Sequence, residues 1–113
     1  MTANKRMRRR PSVRRRLEAL IAEAIVDAYG ESEQRTAFFT MIEENLALPF
    51  ETEILGVTVT AESVDLDETE NIVAICRRGA KRQANSILDL PLPKPLPAGA
   101  EWIEAYRLWI GAQ

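Results

Sequence analysis

The feature that most constrains this chain is a change of hydrophobic period at Leu48-Pro49-Phe50. Before it the apolar residues keep helical spacing, and after it they alternate. A proline pushes the preceding residue out of the α region, so a helix must end there. Ser12 is expected to cap a first helix running to about Tyr29, with Gly30 at its C′ position. Val13, Leu17, Leu20, Ile21, Ala24, Ile25 and Ala28 recur with the rhythm of one buried face. A second helix is expected from about Ser32 to Leu46, burying Phe38, Met41, Ile42 and Leu46. From Phe50 to Leu66 the chain is rich in Val, Ile and Thr and reads as strand, with Gly56 a bulge or turn.

Beyond Leu66, Asp67 to Glu70 reads as a polar connection and Ile72 to Arg77 as a strand buried on both faces. Arg78-Gly79-Ala80-Lys81 reads as a basic turn, and Ser86 to Leu90 as a last short strand. The prolines from Pro91 to Pro97 lack ladder donors and predict an extended connector across the surface. A final helix, about Ala100 to Ile110, puts Trp102, Tyr106 and Trp109 on one stripe, where they are expected to be buried. The expected fold is α+β: two N-terminal helices, a small antiparallel sheet or partly open barrel, and a C-terminal helix. At 113 residues there is room for one core, so the expected organisation is an arm at 1–11 and one domain at 12–113.

Composition removes whole classes of chemistry. There is no histidine, which excludes Ser-His-Asp and Cys-His nucleophiles and every histidine-containing zinc site. The single Cys76 cannot form an intrachain disulfide and fits a reducing, cytoplasmic compartment. The glycines are scattered, with no phosphate-cradling loop among them. No nucleophile–base pair can be assembled, so binding rather than catalysis is expected. No stretch approaches eighteen apolar residues, so no transmembrane segment is expected. What remains for a metal is oxygen, and oxygen selects hard cations.

The net charge of −2 hides a division. Residues 1–17 carry eight basic residues and no acidic one, while residues 18–113 hold seven basic and all seventeen acidic ones. The basic end, with Arg8, Arg9, Arg10, Arg14, Arg15 and Arg16 at its centre, suits the phosphates of nucleic acid or an anionic surface. It has no interleaved aromatics for stacking on bases, so any nucleic-acid binding would be nonspecific.

The acidic residues of the body gather in two places. Glu43-Glu44 are followed by Glu51 and Glu53, and the last two share one side of a strand about 7 Å apart. Glu62, Asp65, Asp67, Glu68 and Glu70 crowd around one connection. Crowded carboxylates repel, and a divalent cation relieves that repulsion. Neither group is an EF-hand: a loop begun at Asp65 puts Glu70 at the glycine position and Cys76 at the bidentate glutamate position. Glu43, Glu44, Glu51, Glu53, Asp65 and Asp67 are the candidate ligands, with calcium the preferred ion.

The segments Phe38 to Leu46 with Leu48-Pro49-Phe50, Ile75 to Gly79, Leu88 to Pro93, and Gly99 to Trp109 resemble a bacterial family. It is the small acidic calcium-binding proteins of the cyanobacterial CcbP type, and the resemblance spans about residues 29–110. It implies calcium binding through negative surface charge without EF-hands, and a regulatory or buffering role. Glu43 and Glu44 match the family's acidic pair at that helix. Glu51, Glu53, Asp65 and Asp67 rest on geometry instead.

Overall fold

A computed structural model describes residues 11–113. Lys5, Arg6, Arg8, Arg9 and Arg10 of the expected arm lie outside the described residues. The order of elements is α1 (Pro11–Ala24), α2 (Glu31–Asn45), β1 (Phe50–Ile54), β2 (Val57–Leu66), β3 (Ile72–Arg78), β4 (Lys81–Ser86) and α3 (Ala100–Gly111). The four strands form one antiparallel sheet in the order β1-β2-β3-β4. The sheet is open, with β1 and β4 at its edges. The α+β architecture is the one the sequence predicts.

One sheet face carries the core. Ala61, Val64, Ile72, Ala74 and Cys76 bury their side chains in the same cluster as Phe38 and Ile42 of α2 and Trp102, Ile103, Tyr106 and Trp109 of α3. The three rings expected to be buried are 5, 2 and 5 % exposed, in chain order. Phe38 lies between two of them, its ring centroid 5.5 Å from that of Tyr106 and 5.3 Å from that of Trp109. Such tilted pairs add to the area they bury. The opposite sheet face holds Glu51, Glu53, Thr58, Ser63 and Asp65, all exposed, but Val73, opposite Asp65, is buried there, so β3 is buried on both faces as the sequence predicts.

Two elements differ in their boundaries from the sequence reading. The first helix already includes Pro11 and Ser12, so Ser12 is not its N-cap; proline is tolerated in the first turn, where its missing N–H has no partner to lose. It stops at Ala24 rather than near Tyr29, in a turn where the Ala28 amide donates to the Ile25 carbonyl. The last strand is Lys81–Ser86, not Ser86 to Leu90. A two-residue turn at Gly79-Ala80 pairs Arg78 with Lys81 at once, and the pairing runs on through Ser86 opposite Val73. Ile87 and Leu90, whose apolarity suggested a strand, are buried from a turn at its end.

The helical layer is fixed to the start of the sheet at one close approach. Gly99, at φ 88°, lies so near the end of α2 that a methyl group there would sit 2.1 Å from the Asn45 carbonyl oxygen. Beside it the Ala47 amide donates to the Ala98 carbonyl at 2.8 Å. Gly99→Ala is expected to cost roughly 2–5 kcal/mol through backbone clash and positive φ together. Gly79→Ala, at φ 59° with open space around it, should cost only about 1–2 kcal/mol. Urea denaturation of both variants checks the contrast; equal costs would show that the Asn45 contact is unimportant.

Candidate cation-binding site

Where each carboxylate ends up depends on the strand it sits in. In β1, Thr52 turns inward and its hydroxyl donates to the Pro91 carbonyl. Strand alternation then sends Glu51 and Glu53 outward. Register places Glu51 opposite Thr60 and Glu53 opposite Thr58, so two carboxylates face two hydroxyls across a strand pair. Beside this edge strand runs the proline segment. Glu51, Thr52, Glu53 and Thr58 together with Pro91, Leu92 and Pro93 line an open, shallow cavity of about 500 Å³. Pro91 and Pro93 have no N–H to donate, and the Pro91 carbonyl accepts from Thr52.

The second acidic group does not converge. Glu62 is the extra residue of a bulge, since the pairing steps from Ala61↔Cys76 to Ser63↔Ile75 and skips it. The bulge aims it at two arginines, and it accepts from Nε of Arg77 and, at 3.0 Å, from Nε of Arg82. These hydrogen bonds, Arg77 first, hold its carboxyl below the usual glutamate range. Asp67 closes its own turn: Oδ1 accepts from the Thr69 amide at 2.8 Å, the Thr69 hydroxyl at 2.9 Å and the Asn71 amide at 2.9 Å. Those bonds, led by the Asn71 amide, lower its pKa as well. Asp65 accepts from the next residue's amide, and Glu70 accepts from the Ser32 hydroxyl.

Glu43 and Glu44 are exposed in the last turn of α2, which holds no basic residue. Neither they nor Glu51 and Glu53 have an ion pair or hydrogen bond from their side chains among the described residues. Carboxylates at a helix C-terminus oppose the helix dipole, so this pair too favours a cation. Among the described residues no three acidic groups come together as a ready-made metal cluster. The donor set is nonetheless all oxygen, which suits calcium completed by water.

Of the basic candidates within the structure, Arg14, Arg15 and Arg16 are exposed on α1. Arg14 pairs with Glu18 at 3.2 Å and Arg16 with Glu101 at 3.7 Å. Cys76 is buried in the core, and burial pushes its thiol pKa up, away from reactivity. Sequence reasoning missed Thr58, Thr60 and the Pro91–Pro93 carbonyls. Only the turn at Leu55-Gly56, which sets the register, could have pointed to the threonines.

Set against known proteins, residues 18–110 match the model of the CcbP family, described as calcium binding. The chain belongs to that family of calcium-binding proteins. No curated protein and no solved structure matches it. No helix among the described residues is long and apolar enough to cross a membrane.

The bulge makes a pH prediction. A depressed carboxyl contributes stability that is full above the usual glutamate range and is lost as pH falls from that range through the lowered folded value. Glu62→Gln should therefore be less stable than the native chain at neutral pH, and the two stability curves should converge in acid. Denaturation measured across the acid range tests this, and parallel curves would contradict it.

Proposed function

We propose that calcium is held, without an EF-hand, at the outer edge of the sheet by Glu51 and Glu53. The Thr58 hydroxyl, carbonyl oxygens of the Pro91–Pro93 segment and water complete its shell. The observation that carries the reading is that these two carboxylates have no protein partner among the described residues, share one side of an edge strand and line an open cavity with Thr58 and the proline segment. Glu62, by contrast, has both oxygens engaged by arginines, and Asp67 has Oδ1 engaged in closing its turn. Two carboxylates on an open surface make a low-charge, solvent-accessible site, the kind that binds weakly and exchanges quickly. That suits a cytoplasmic calcium buffer or regulator rather than a permanent structural site, and it involves no catalytic step.

Glu43 and Glu44 form a second locus in this reading, favoured by their place at a helix C-terminus with no cation of its own. Glu51→Gln with Glu53→Gln keeps shape and removes charge, so calorimetric titration should show calcium affinity falling about tenfold or more. Glu43→Gln with Glu44→Gln should weaken it less. A chain that binds no calcium at millimolar concentration and low salt would end the proposal. Full affinity in the Glu51, Glu53 double variant would move the site to α2.

A further inference from the structure

The two hairpins of the sheet open at the same end. Ile54 pairs with Val57, so the first tip is Leu55-Gly56. Thr60 of the same hairpin pairs with Arg77, which brings β3 to that end, and Arg78 pairs with Lys81 around the second tip, Gly79-Ala80. The first tip projects a few residues farther along the sheet than the second, on the order of 7 Å at strand rise.

Each tip carries a feature that the fold does not explain. Leu55 is 98 % exposed and sits at φ 50°, where asparagine or glycine is favoured and a leucine is strained. It spends conformational energy to hold an apolar side chain wholly in water. The second tip places like charges directly opposite one another twice, Arg77 across from Arg82 and Arg78 across from Lys81, an arrangement that destabilises a strand pair. Glu62 answers the first pair. The second pair, exposed at the tip, has no carboxylate partner among the described residues.

We propose that this end of the sheet docks on an anionic phospholipid surface, with Leu55 entering the headgroup boundary and Arg78 and Lys81 meeting lipid phosphates and carboxylates. The pairing of an apolar side chain with flanking cations decides the class of partner. Phosphates of nucleic acid account for the cations but give Leu55 nothing to bury in, and the tips hold no aromatic ring to stack on bases. An interfacial bilayer takes both, the side chain by burial and the cations by the surface potential. Glu53, level with Thr58, lies one residue nearer the first tip than Arg78, but strand alternation puts it on the opposite sheet face from Arg78 and Lys81, and the docking surface does not depend on a cation held there.

The test uses the full chain and sedimentation with phosphatidylcholine vesicles, with and without phosphatidylserine, at low salt and with calcium chelated. The chain should bind only the vesicles containing phosphatidylserine. Leu55→Asn relieves the strained φ, so it should leave the melting temperature unchanged or higher while lowering partitioning about tenfold. Arg78→Gln with Lys81→Gln should lower it roughly thirtyfold. Failure to bind anionic vesicles would overturn the proposal. So would binding indifferent to these substitutions, which would place the anchor in residues 1–17. Binding to a DNA duplex that needs Arg78 and Lys81 but ignores Leu55 would replace the lipid with nucleic acid.

Discussion

The packing of α2 on α3 determines where everything else lies. Phe38 fits between Tyr106 and Trp109, whose own ring centroids are 6.1 Å apart. The rim of this contact is polar: the Trp109 indole N–H donates to Gln34 at 3.2 Å, and the Arg35 guanidinium lies 6.0 Å from the Trp109 ring centroid. Arg35 is itself held by Glu31 at 2.8 Å, a hydrogen-bonded pair that raises its pKa. With the helices packed in this way, Gly99 fits against Asn45, and the chain leaves α2 through Leu48-Pro49 into β1. Once Thr52 is turned inward there, Glu51 and Glu53 have no choice but the outer face.

The acidic residues then divide by what they touch. Glu62, Asp67 and Glu70 are answered by arginines, turn amides or a serine hydroxyl, so their charge serves the fold. Glu43, Glu44, Glu51 and Glu53 are answered by nothing among the described residues. A carboxylate already engaged in several hydrogen bonds must give some of them up to bind a cation, whereas an unengaged one gives up only water. The crowding of acidic residues in sequence is thus a poor guide to which carboxylates stay unpartnered in three dimensions.

Much of the fold was legible because its signals were strong and local. The proline after Leu48 ended α2, the alternation after Phe50 announced the sheet, and the Trp102, Tyr106, Trp109 stripe announced a buried helix. The misplaced strand shows the limit. Lys81 to Ser86 is an edge strand whose first four residues are exposed, so it lacks the apolar pattern that identifies strands, and pairing from a tight turn put it there. Within the candidate site the adjacency of Glu51 and Glu53 was readable from a period of two. The contribution of Pro91–Pro93 was not, because that contact joins segments some forty residues apart. The dispersal of the group from Glu62 to Glu70 was equally hidden, since a bulge that skips one residue leaves no mark in composition.

Amide chemical shifts followed during a calcium titration test the central claim most directly. Saturable shifts are predicted at Glu51, Thr52, Glu53, Thr58 and Leu92, which surround the edge cavity, with little change at Asp67, Thr69 and Asn71. Saturable shifts centred on the turn from Asp67 to Asn71, with none at β1, would contradict the account.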